Sequence, residues 1–103
     1  MEKQENILRI QQMEQHLDRA SEAVMQLSAA LENYEEAQKS IRQLADYYSS
    51  DDWRNDFEAD EAGLLPRELR RGVLSEDAIW NVLSDSRELN ARMLETVAAI
   101  MKS

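Results

Sequence analysis

Three observations predict an all-α fold. An apolar seam of almost unbroken two-in-seven spacing runs from Ile10 to Tyr48, the 103 residues include only two glycines and one proline, and nowhere do apolar and polar residues alternate convincingly. The architecture expected is a helical bundle in a single domain, residues 1–103: a long helix over about 4–48, a short helix over about 51–62, a turn at 66–71 and a last helix over about 76–101, packed antiparallel on the first.

The first helix is the element around which the rest is arranged. Its seam is Ile10, Met13, Leu17, Ala20, Val24, Leu27, Leu31, Tyr34, Gln38, Ile41, Ala45 and Tyr48. Ala23, Ala30, Ala37 and Leu44 repeat every seven residues beside it and widen the stripe with mostly small side chains, a surface suited to close packing. Gln11, Gln15, Asp18, Glu22, Gln26, Glu32, Glu36 and Gln43 form the solvated face. At about 1.5 Å per residue such a helix is on the order of 65 Å long and needs a partner of similar length.

Ser49, Ser50, Asp51 and Asp52 end it and begin the next, Ser49 with Asp52 resembling a capping box. In the short helix Trp53 and Phe57 share one face, while Asp52, Asp56 and Asp60 share another. Gly63 is a natural stop, and Pro66 suits the start of a turn through Arg71 closed by Gly72. Ser75 is the expected cap of the last helix, whose core stripe is Ile79, Val82, Leu83, Leu89, Met93, Val97 and Ile100. Ser86 and Asn90 interrupt this stripe and, in an antiparallel pairing, fall level with Gln38, so a buried or half-buried polar layer is expected there.

The last helix, on the order of 40 Å, covers only the later half of the first. Ile7, Ile10, Met13 and Leu17 are then left in water, and self-association as a symmetric antiparallel homodimer is the expected cure.

Charge and composition narrow the function. The net charge of −9 argues against nucleic acid and anionic lipid as partners, and no run approaches the roughly 20 apolar residues needed to cross a bilayer. Polar residues at the N-terminus do not resemble a secretory signal, and the absence of cysteine fits a reducing compartment, so a cytoplasmic location is expected. The charge is uneven: residues 49–63 carry −5 and residues 64–74 carry +2.

The run Tyr47-Tyr48, Trp53, Glu58-Ala59-Asp60-Glu61-Ala62-Gly63, Leu65-Pro66 and Arg71-Gly72-Val73-Leu74-Ser75-Glu76-Asp77 resembles the signature of a small bacterial family classed as domain of unknown function 4298. The similarity continues into Arg87-Glu88-Leu89 and Arg92-Met93-Leu94, covering about the last two thirds of the chain. The resemblance implies helical character and a bacterial setting, and brings no catalytic residue.

Candidate chemistry is sparse. Glu32 with Glu35 and Glu58 with Glu61 have the Glu-x-x-Glu spacing with which all-helical nucleotide pyrophosphatases hold magnesium. With 21 acidic residues, about four pairs three apart arise by chance, and the chain has four, the others being Glu2 with Glu5 and Asp85 with Glu88. His16 is the only histidine, Ser49, Ser50 and Ser75 read as caps, and two isolated glycines make no phosphate loop, so no catalytic residue and no cofactor is expected. Arg67, Arg70 and Arg71 have Asp56, Asp60 and Glu61 as candidate partners, and Trp53, Phe57 and Trp80 read as core pins. The function expected is a non-enzymatic, self-associating interaction or scaffold protein that presents the acidic-then-basic segment 51–71, with Asp52, Asp56, Asp60, Arg67, Arg70 and Arg71 as its surface, to an unidentified protein partner. The alternatives are a magnesium-dependent nucleotide hydrolase and an acidic mimic of nucleic acid.

Overall fold

The computed structural model describes the backbone from residue 2 and the side chains from residue 3 to residue 103. It contains three α-helices, α1 (Glu2–Tyr48), α2 (Asp51–Glu61) and α3 (Ala78–Lys102), with a 3-10 turn at Gly72–Leu74 and no strand among the described residues. The C-terminal helix packs on the first, as the sequence predicts. No helix among the described residues is long and apolar enough to cross a membrane.

The chain divides into two compact units, the first ending at Gln38 and the second spanning Lys39–Ser103. The described residues of the first all belong to α1. Its side chains from residue 3 to residue 33 are all exposed, including Ile7 at 54%, Ile10 at 57%, Met13 at 53% and Leu17 at 60%. Tyr34, Ala37 and Gln38 are half-buried, and the Gln38 amide donates to the Tyr34 carbonyl at 3.3 Å.

The second unit holds what core there is. Ile79, at 2% exposure, is its most enclosed side chain, with Leu74 at 6%; Ile41, Leu44, Tyr48, Trp53, Phe57, Leu65, Leu83 and Met93 are half-buried around the same elements. The closing turn of α1 meets the opening of α3: Ala45, Tyr48 and Ser49 line one cleft of about 330 Å³ together with Trp80, Leu83, Ser84 and Arg87. On another side Leu44 lines a second cleft with Ala78, Ile79 and Val82.

Several local expectations are corrected. The cap of α2 is Ser50, whose hydroxyl accepts from the Trp53 amide at 3.4 Å, whereas Ser49 turns its hydroxyl back to the Ala45 and Asp46 carbonyls at the end of α1. With α2 beginning at Asp51, the residue immediately before it is Ser50, so the capping role falls there. The last helix starts at Ala78 instead of 76. Ser75 still serves it, accepting from the Ala78 amide at 3.2 Å, while Asp77 makes no side-chain cap. Gly72 opens a 3-10 turn where the sequence suggested a stop.

The predicted α3 stripe is covered at Ile79 and partly at Leu83 and Met93, but Val82 at 45%, Leu89 at 42%, Val97 at 53% and Ile100 at 65% stand in solvent. Periodicity marks a face that can be buried; whether it is depends on there being something to cover it. The proposed polar layer is likewise divided. Ser86 is buried at 9% and Gln38 is half-buried, but Asn90 is exposed. Trp80, at 57% exposure, edges the first cleft and is no core pin.

Candidate functional site

The segment from Tyr47 to Leu74 carries most of the specific polar contacts. A two-residue connection, Ser49-Ser50, separates α1 from α2, so the last turn of one lies beside the early turns of the other. Across that junction the Tyr47 hydroxyl donates to Asp56 Oδ2 at 2.5 Å. Tyr48, Trp53 and Phe57 form an aromatic run: Tyr48 meets Trp53 edge-on at 5.1 Å between centroids, and Trp53 stacks on Phe57 at 5.2 Å. The far edge of the indole is used as well, since Trp53 Nε1 donates to the Val73 carbonyl at 2.9 Å.

Helix α2 ends in a Schellman motif. The Leu64 amide bonds the Ala59 carbonyl and the Gly63 amide bonds the Asp60 carbonyl, with Gly63 at φ +70°. A Cβ at Gly63 would meet nothing within 4 Å, so the glycine is there for its left-handed backbone. The chain then turns at Pro66, where the Leu69 amide bonds the Pro66 carbonyl at 3.3 Å.

Arg71 holds this turn from inside. Its Nη1 pairs with Asp60 Oδ1 at 2.5 Å, its Nη2 donates to the Pro66 carbonyl at 2.5 Å and the Arg67 carbonyl at 3.2 Å, and its Nε faces the Leu69 carbonyl at 3.4 Å. The two side chains of the ion pair are 31% and 24% exposed. A planar guanidinium can serve a carboxylate and several carbonyls at once, which an ammonium cannot. Three ties, Tyr47 to Asp56, Trp53 to Val73 and Asp60 to Arg71, therefore fasten α2 to the end of α1 and to the loop that leads to α3.

The environment of Tyr47 alters its hold on its proton. Its pKa is pushed up from 10.0 to about 12, first by burial, then by the hydrogen bond to Asp56 and by the negative charges of Asp56 and Asp52. It stays a neutral donor at physiological pH, the role its bond to Asp56 requires.

This geometry sorts the predicted surface residues. Asp56 and Asp60 are occupied within the fold, and Arg71 is the arginine that Asp60 takes. Asp52, Arg67 and Arg70 are exposed, and the Arg67 and Arg70 side chains make no ion pair among the described residues. Arg70 lies instead on the rim of a cavity of about 240 Å³ lined also by Tyr47, Asp56, Leu65 and Leu74. Glu32, Glu35, Glu58 and Glu61 are all exposed, and no group of three His, Cys, Asp or Glu side chains among the described residues could hold a metal ion. Glu2 of the Glu2–Glu5 pair lies outside the described side chains.

Sequence reasoning placed Trp53 and Phe57 on a common face and named Asp60 as a partner for the arginines. It missed the Tyr47–Asp56 bond and the indole bond to Val73. The first is legible in retrospect: a two-residue helix connection brings the last turn of one helix, which includes Tyr47, near the second turn of the next, which includes Asp56. The second has no sequence signal, because its acceptor is backbone.

A small helical protein tied together by these contacts is the class that the fold defines. The chain belongs to the family described as Domain of unknown function (DUF4298), whose model matches residues 10–96. The match reaches back into α1 well beyond the last two thirds of the chain. No curated protein and no solved structure matches the sequence.

Proposed function

We propose that the chain is a non-enzymatic, cytoplasmic bacterial interaction protein that self-associates as a homodimer through α1 and offers segment 51–71 to a protein partner. One observation carries this reading: Ile7 and the large seam side chains from Ile10 to Leu31 are between 39% and 69% exposed, on a helix with the spacing of a coiled-coil strand. Leaving so many large apolar side chains along one stripe in water is costly, and monomers seldom do it. The tied segment supports the second part. It holds Asp52, Arg67 and Arg70 outward from a frame fixed by Tyr47, Trp53 and Arg71. Opposed charges on a rigid frame suit selection among partners more than raw affinity.

The test is solution mass by light scattering over a dilution series, for the natural chain and for Leu17→Asp. The natural chain is expected at twice its 11.9 kDa and the variant at that mass, with the fluorescence of Trp53 and Trp80 unchanged. A natural chain that stays at 11.9 kDa at every concentration refutes the reading.

A further inference from the structure

We propose that α1 pairs with α1 of a second copy in antiparallel sense, in the register that sets Leu17 of one copy against Ala20 of the other. The proposal rests on the self-association reading and specifies its geometry.

The seam is not uniform along its length. In the exposed stretch the early half carries the bulk, with Arg9, Ile10, Met13, His16 and Leu17, while small Ala20, Ala23 and Ala30 belong to the later half. Reversing one copy about a point between residues 18 and 19 brings each small position onto a large one. Leu17 meets Ala20, Met13 meets Val24 and Ile10 meets Leu27 in the core layers. On one flank His16 lies over Ala23 and Arg9 over Ala30, where their long arms cover the small methyl groups. Facing large with small keeps a layer filled without strain.

The parallel, in-register alternative sets Ala20 against Ala20 directly after Leu17 against Leu17, a hollow layer next to a crowded one. It also brings the two copies of segment 49–63, each carrying −5, to the same end of the pair. In its favour is a contact from Arg9 to Glu14 of the second copy, an exposed ion pair of little net worth. Helix dipoles oppose one another favourably only in the antiparallel pair.

The register also matches the extent of the exposed stripe. It pairs residue 6 with residue 31, so the large exposed apolar side chains from Ile7 to Leu31 all fall within the paired stretch, and the pairing does not draw on Gln38, which is already half-buried. Ile7 and six large seam side chains at on the order of 100 Å² each, with the alanines and the stems of Arg9 and His16, approach the roughly 800 Å² per partner of a stable interface.

The chain has no cysteine, so introduced thiols report on pairing without background. Met13→Cys and Val24→Cys, each checked by circular dichroism, are oxidised mildly alone and as an equimolar mixture, and products are resolved by mass spectrometry. The expected product is the disulfide between position 13 of one copy and position 24 of the other, found only in the mixture. Residue 13 lies about 16 Å along the axis from its own counterpart in this register, too far for a disulfide. Leu17→Cys with Ala20→Cys is the second pair, and its mixture should likewise give the disulfide between position 17 of one copy and position 20 of the other. Linkage of Met13→Cys to itself in a dimeric protein overturns the antiparallel register and leaves self-association standing. A dimer that links in none of these combinations overturns α1 as the interface. A natural chain monomeric throughout the dilution series overturns the self-association reading and this proposal with it.

Discussion

Residues 3–33 of α1 and the unit Lys39–Ser103 are both helical, yet they are held by different means. The first stretch has a regular apolar stripe and no side chain that is even half-buried. The second has a less regular pattern, but it encloses Ile79 and Leu74 and ties its elements with a tyrosine–carboxylate bond, an indole–carbonyl bond and a guanidinium that serves four acceptors. Regular spacing along one helix describes an apolar face, the one we propose is covered by a second copy. Specific polar ties between neighbouring elements describe a fold that has already found its own. A helix without tertiary cover is marginal in water, so the stability of the first stretch is expected to depend on protein concentration and that of the second on its ties.

The contrast breaks most visibly at Trp53. Trp53→Ala removes the stack on Phe57, the edge contact with Tyr48 and the bond to Val73 together. A loss of about 3 kcal/mol is expected in urea unfolding followed by circular dichroism. A change below about 1 kcal/mol would mean that the aromatic run decorates a unit held by something else.

Arg71→Met comes next. It keeps the aliphatic stem but leaves Asp60 and three carbonyls without their donor, at a cost of about 2 kcal/mol by the same measurement. Arg71→Lys should recover only a part of this, because an ammonium cannot reproduce the fork. Full recovery by lysine would show that charge alone matters at this position.

The smallest effect sharpens the comparison through pH. Tyr47 holds its proton more tightly in the folded chain, with a pKa of about 12 against 10.0 when unfolded. Between those values the unfolded chain has lost the proton that the folded chain keeps, so unfolding is favoured as pH rises. The contribution of Tyr47 is therefore complete below pH 10 and fades from there towards 12. Tyr47→Phe should cost about 1 kcal/mol at neutral pH. It should also lose less of its remaining stability than the natural chain does above pH 10. Equal alkaline losses in the two proteins would place the Tyr47–Asp56 bond outside the stabilising set.

Much of this was legible from the chain alone, for identifiable reasons. Helix type, the breaks near 49 and 63 and the caps depend on residues close in sequence, such as Ser50, Gly63 and Ser75, and local chemistry expresses itself locally. Even there the boundaries slipped by one or two positions, at Ser49 against Ser50 and at the start of α3. The common face of Trp53 and Phe57 was equally readable, since spacing of four on a helix admits little else. The tertiary structure decided what spacing cannot. Arg67, Arg70 and Arg71 look alike in sequence, and only the path of the loop from Gly63 through Pro66 gives Arg71 to Asp60 and leaves the others outside. In the same way Ile79 and Val97 belong to one predicted stripe, but only Ile79 has neighbours on every side. Periodicity is a property of one helix, and burial belongs to everything packed around it.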